Sequence, residues 1–103
     1  MKFVITRTGR SGSSGAELEA STARLLALFS NWAPHAGETI HQFVTRADGN
    51  GAFAVVETDS VAGLALDSAK FTPYLDFSLY PVADIQEGAA ILAEAAEFRR
   101  SVS

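Results

Sequence analysis

The chain has 103 residues, no cysteine, and 8 Lys+Arg against 12 Asp+Glu, giving a formal net charge of -4. That length suits a single domain, 1–103, with a core large enough to fold without staples. The missing thiols exclude disulfides, thiolate metal sites and a cysteine nucleophile. The acidic balance, with Arg99-Arg100 the only adjacent basic pair, argues against nucleic acid as a partner. At 48% hydrophobic and 19% charged the composition is that of a globular protein. No apolar run approaches the length of a membrane span, and the opening Met1-Lys2-Phe3-Val4-Ile5-Thr6-Arg7 is too short for a secretion signal, so a cytoplasmic location is expected.

Residues 3–8 form a short β-rich run and read as the first strand. Residues 9–15, Gly-Arg-Ser-Gly-Ser-Ser-Gly, are a turn cluster expected to form an exposed loop, with a lid over a cavity mouth as its functional alternative. The cluster joins a strand to a helix, as phosphate loops do. It lacks the Walker lysine and Gly-x-Gly-x-x-Gly, and Glu17 and Glu19 would repel an anion. Ser14 followed by Glu17 is a capping box that starts a helix over 16–32, with Leu18, Leu25, Phe29 and Trp32 at helical spacing and Leu28 beside them. Pro34 and Gly37 end it.

Thr39–Thr45 is a second strand, and Asp48-Gly49-Asn50-Gly51 is a strong hairpin signal before a third strand over 52–58. With Gly49-Asn50 as a two-residue turn, Gln42 faces Glu57, Val44 faces Val55 and His41 faces Thr58. Asp59 or Ser60 caps a helix over 61–70 that carries Leu64 and Leu66. Residues 75–80 then alternate, with Leu75, Phe77 and Leu79 on one side and Asp76, Ser78 and Tyr80 on the other. Pro81 suits only a strand end or a sheet edge. Asp84 begins a last helix whose Ile91, Leu92, Ala95 and Phe98 form a narrow apolar stripe.

The order βαββαβ with short, right-handed connections predicts an α+β, ferredoxin-like sheet with strands one and three central and an additional C-terminal helix. Both helices of the repeat lie on one face. Yet Phe3-Val4-Ile5 and Phe53-Ala54-Val55-Val56 are apolar on both faces, so something must cover the second. A second copy in a twofold homodimer, sheet against sheet, is the first expectation. The alternative is the last helix, either folding under its own sheet or reaching across to the partner.

His41-Gln42-Phe43-Val44, the run Gly-Ala-Phe-Ala-Val-Val-Glu-Thr-Asp over 51–59, and Lys70-Phe71-Thr72-Pro73-Tyr74 resemble a bacterial family of domains of this length whose function is unknown. That family is similar to the dimeric α+β-barrel superfamily, which includes small cofactor-free monooxygenases, muconolactone isomerases and dye- or haem-handling enzymes. The resemblance implies a dimer with a cavity and carries over no catalytic residue.

His41 and His35 are the only histidines, so any imidazole proton shuttle is one of them. His41, in a strand, is the stronger candidate, although the register above puts Glu57 on the other face and a His41–Glu57 dyad would need a slipped pairing. His35 lies in a loop flanked by Pro34 and Gly37. The even spacing of His35, Glu38 and His41 therefore loses the meaning it would have on a helix, and no metal site is expected. One histidine could hold a haem within a dimer cavity, but no cofactor is called for by the residues. Asp76, Ser78 and Tyr80 share a face that either lines the cavity or meets water. Trp32 is first a core residue and second a ligand contact. The expectation is a homodimer that binds a small apolar or aromatic molecule, with His41, Tyr80 and Glu57 as candidate catalytic groups and Phe43, Ser78, Asp76 and Trp32 as candidate ligand contacts. Cofactor-free isomerisation, cyclisation or oxygenation is the chemistry such a site would suit. A non-catalytic ligand-sensing or protein-interaction module is the alternative.

Overall fold

The computed structural model describes residues 1–9 and 14–102, so the expected loop over 9–15, and any lid it forms, falls largely outside the described residues. In chain order the elements are β1 (Lys2–Gly9), α1 (Gly15–Ser30), β2 (Thr39–Thr45), β3 (Ala52–Glu57), α2 (Val61–Ala69), β4 (Leu75–Val82) and α3 (Ile85–Ser101). The four strands form one antiparallel sheet in the order β2-β3-β1-β4. This is the expected α+β, ferredoxin-like arrangement with a C-terminal helix added. Pro81 lies in β4 opposite Phe3, at a sheet edge where its missing N–H is tolerated.

Period-2 alternation sorts the central strands into two faces. Phe3, Ile5, Ala54 and Val56 point to the helices and form the core with Leu64 of α2, with Ile40, Phe77 and Leu79 packed against them. Leu64 and Val56, each 2% exposed, are the best-buried large side chains, and truncating Leu64 to Ala would cost about 2–5 kcal/mol. The intervening residues face the other way. That second face carries Val4, Val55, Phe53, Val44, Tyr80 and Val82, of which the last two and Phe53 and Val44 are exposed. On this second side those apolar residues lie among Lys2, Thr6, Gln42, Glu57, Asp76 and Ser78, and no helix of the chain packs over it.

Three local expectations need correction. Ser14 caps α1 by accepting from the Glu17 N–H at 3.3 Å, but α1 ends at Ser30 rather than Trp32, where the Asn31 side-chain amide donates to Ala27 O and the backbone turns. No α1 residue is buried, and Leu18 is exposed, so only the Phe29 end of the apolar stripe packs. The hairpin pairs Phe43 with Ala54 and Val44 with Phe53, two residues off the expected register. Its loop is longer than two residues: the Arg46 N–H donates to Gly51 O and the Gly49 N–H to Arg46 O. Gly49 and Gly51 both have positive φ, and a Cβ on Gly51 would lie 1.9 Å from the Arg7 carbonyl oxygen. Finally, the register shifts between Ile40 and Gln42, which makes His41 a β-bulge.

The last helix covers nothing on its own sheet. Ile91, Leu92 and Phe98 of α3 are exposed, as is the open sheet face. The molecule measures 63 × 31 × 21 Å, with a radius of gyration of 18.1 Å. A compact chain of this length would have about 13 Å. At its start, Asp84 makes no side-chain cap and instead accepts from Lys2 Nζ at 2.6 Å.

Candidate functional site

The bulge at His41 brings its Nε2 within 3.0 Å of Glu57 Oε1, so the His41–Glu57 pair forms despite the register expected from the turn. Both side chains are about half exposed. Tyr80 lies on the same open face but on β4, opposite Val4, with β1 and β3 between it and β2. Three strand spacings, about 14 Å, separate the two edges. The expected trio is therefore not one site. The four expected ligand contacts are divided as well: Asp76 and Ser78 share the open face with Tyr80, whereas Phe43 and Trp32 lie on the helix side.

The helix side holds the denser chemistry. Continuing the inward row Phe3-Ile5 by one step places Arg7 under α1 and α2, with 8% of its surface exposed. Its guanidinium lies over the Phe43 ring at 4.4 Å and near the Phe77 ring at 5.7 Å. Nε and Nη1 have no hydrogen-bond partner, and among the described residues no carboxylate forms an ion pair with it. Burial lowers the Arg7 pKa from its usual value, with Glu38 pulling the other way. Over it, Phe29 of α1 stacks on Phe71 at 4.3 Å and 15°, and Trp32 meets both rings edge-on. Ile5, Ile40, Ala54 and Leu64 complete the apolar wall, and Glu38 and Asp67 bring carboxylates to it. The space left is about 20 Å³, room for about one water molecule.

Beside this pocket, the loop after α1 is fastened to α2 and to the end of β3 through His35. Its Nδ1 lies 2.9 Å from Asp67 Oδ2, and its Nε2 shares a hydrogen bond of 2.8 Å with Thr58 Oγ1. Thr58 also accepts from the Ser60 N–H, and Ser60 caps α2 by accepting from the Gly63 N–H. The Trp32 Nε1–H donates to Asp67 Oδ1 at 3.2 Å. The imidazole lies so close to α2 that a Cβ on Gly63 would fall 2.7 Å from its ring. Glu38 Oε2 is 3.5 Å from His35 Nδ1, on a side chain only 3% exposed, and has no hydrogen-bond partner. Burial pushes its carboxyl above the usual carboxylate range, against the pull of His35.

From the sequence His41 carried the weight, His35 and Glu38 were weighed and set aside because they lie in a loop, and Arg7 and Asp67 drew no attention. For Arg7 a signal existed: the alternation that buries Phe3 and Ile5 also buries position 7. For Asp67 there was none, because its meeting with His35 joins residues 32 apart through tertiary packing alone.

Among solved structures the chain is similar to SnoaB, a cofactor-independent oxygenase from Streptomyces nogalater. The identity is 21% over 81% of this chain and 92% of that one, with a TM-score of 0.33. No curated protein matches the chain. Among the described residues, no helix is long and apolar enough to cross a membrane. A profile described as a domain of unknown function, DUF3303, matches residues 1–96, and the chain belongs to that family.

Proposed function

We propose that the protein binds a planar aromatic molecule bearing an acidic oxygen in the pocket beneath α1 and α2, and that it does so as a homodimer closed over the open sheet face. The observation that carries the first part is Arg7, a buried guanidinium with two unpartnered nitrogens in a pocket walled by Phe29, Trp32, Phe71 and Phe77. A buried charge without a partner is costly, and a ligand oxyanion supplies the missing acceptor. The aromatic walls supply stacking area for the ring. The ligand enters by taking the place of Phe29 against Phe71, which is the cheapest wall to move because α1 has no buried residue.

Turnover in such a site would be acid–base chemistry. A carboxylate on the wall, Glu38 or Asp67, takes a proton from the substrate, and Arg7 stabilises the enolate or phenolate oxygen on which the electron pair settles. That anion is the starting point for isomerisation, cyclisation or oxygenation. The dimer is supported by the exposed Val44, Phe53 and Tyr80 of the open face and by the exposed Ile91, Leu92 and Phe98 of α3, since clustered bare apolar side chains mark an interface.

A matched pair of probes tests the ligand. 1-Naphthoate should raise the melting temperature of the chain, and 1-naphthamide, with the same rings and no charge, should not. At a hundredfold excess over Kd, binding adds about 2.7 kcal/mol. Equal shifts from both probes would remove Arg7 from the reading. A non-catalytic interaction module is the second reading, favoured by the small size of the cavity, and an unmoved melting temperature with either probe selects it. Light scattering at twice the 10.9 kDa chain mass is the expected result for the dimer.

A further inference from the structure

We infer that His35, Glu38 and Asp67 form a binding site for a divalent first-row cation such as Zn²⁺ or Mn²⁺, at the edge of the pocket. Their ligating atoms lie within 4.8 Å of one another. His35 Nδ1 is 2.9 Å from Asp67 Oδ2 and 3.5 Å from Glu38 Oε2. Ligands bound at about 2.0–2.2 Å to a common centre are separated by about 3–3.5 Å, so the atoms need only small movements to close on an ion. All three side chains are largely buried, at 16%, 3% and 12% exposed in the order His35, Glu38, Asp67.

The independent pointer is Glu38. Its carboxylate is more than nine-tenths buried, and Oε2, aimed at His35 Nδ1, lacks any hydrogen-bond partner. A buried oxygen in that condition needs a donor or a cation. The surroundings already have the form of an outer shell. A metal-binding imidazole donates its other nitrogen to a fixed acceptor, and here His35 Nε2 meets Thr58 Oγ1. A ligating carboxylate has its second oxygen held, and here Trp32 Nε1–H donates to Asp67 Oδ1. With Nε2 protonated toward Thr58, the Nδ1 lone pair faces the same space as the two carboxylate oxygens.

One imidazole and two carboxylates suit zinc and manganese better than calcium, which takes six to eight oxygens. Two charged groups oppose the ion, Lys70 Nζ at 3.8 Å from Asp67 Oδ1 and Arg7 across the pocket, so moderate affinity is expected. Three protein ligands leave a position open, and because Glu38 and Asp67 line the pocket, that position faces it. The site stands apart from the Arg7 reading, since Arg7 is not a ligand. A bound ion would convert the two wall carboxylates from proton acceptors into ligands.

The experiment uses the full chain stripped with EDTA and titrated with Zn²⁺ or Mn²⁺ alone, with no organic ligand present. Isothermal titration should give one ion per chain, a raised melting temperature, and a Co²⁺ form absorbing in the visible. Glu38→Gln, nearly the same in shape, should weaken binding about tenfold or more. His41→Ala, on the far face, should leave it unchanged. Absence of binding at millimolar ion, or equal binding by Glu38→Gln, overturns the site. Loss of binding in His41→Ala would move it to the His41–Glu57 pair and overturn it equally. A melting temperature raised by 1-naphthoate in the EDTA-treated chain would keep the pocket reading whatever the ions do.

Discussion

Replacing Arg7 by Met should make the protein more stable while abolishing its response to an aromatic anion. The magnitude follows from what the guanidinium has and lacks. An uncompensated buried charge costs about 3–5 kcal/mol. Against this stand the contacts over Phe43 at 4.4 Å, a ring that is itself exposed, and near Phe77 at 5.7 Å, together worth about 1–2 kcal/mol. Methionine fills much of the same volume without the charge. The balance is a net gain of about 1–4 kcal/mol, and a chain of this length gains roughly 4–8 °C for each kcal/mol. Urea unfolding at fixed protomer concentration measures it, with an unchanged m showing that the native fold is kept. A loss of more than about 1 kcal/mol in Arg7→Met would refute the reasoning, because Arg7 would then be a satisfied structural residue.

Other consequences are read off the same geometry. Gly51→Ala should destabilise the chain by about 3 kcal/mol or more in urea unfolding, since its Cβ would sit 1.9 Å from the Arg7 carbonyl oxygen; a cost below about 1 kcal/mol would contradict the close approach. Val55→Lys, at the centre of the open face, should return a light-scattering mass of one chain with unchanged circular dichroism, and a retained dimer would exclude that face as the interface. The Lys2–Asp84 tie should be sensitive to pH at both extremes. The Lys2 hydrogen bond depresses the Asp84 pKa, so its contribution is present above the ordinary value near 3.9 and is lost as pH falls through the lowered one. The same bond raises the Lys2 pKa, so that side of the tie is present below about 10.4 and is lost as pH rises through the raised value. Amide exchange at Gly88, which donates to Asp84 O in the first turn of α3, should quicken outside that window. In Lys2→Met the acid-side change should shift toward the ordinary carboxylate range.

The strand order was legible because β1 and β3 advertise themselves by being apolar on both faces, and because β4 alternates so cleanly from Leu75 to Tyr80. The hairpin was legible in position but not in register. Asp48-Gly49-Asn50-Gly51 admits several loop lengths, and the positive φ values at Gly49 and Gly51 fit a longer loop than the two-residue turn. The bulge at His41 leaves no mark in the residue pattern, yet it decides whether His41 meets Glu57. The cluster of His35, Glu38 and Asp67 was invisible for a different reason. Its local spacing lies in a loop, where periodicity carries no direction, and its third member arrives from α2 through the seating of an imidazole on Gly63. Charge misled as well: Arg7 reads as a polar strand end, although alternation already sends it inward.

Because β1 runs through the middle of the sheet, its successive residues answer to different masters. Phe3 and Ile5 fill the helix-side core and Ile5 and Arg7 line its pocket, while Val4 and Thr6 face the bare side. Random substitution along this single octapeptide should therefore yield a sawtooth, with ligand response falling at odd positions and assembly failing at even ones. On the proposed function, substitutions along this one ribbon of backbone would tune binding and assembly separately, one residue at a time.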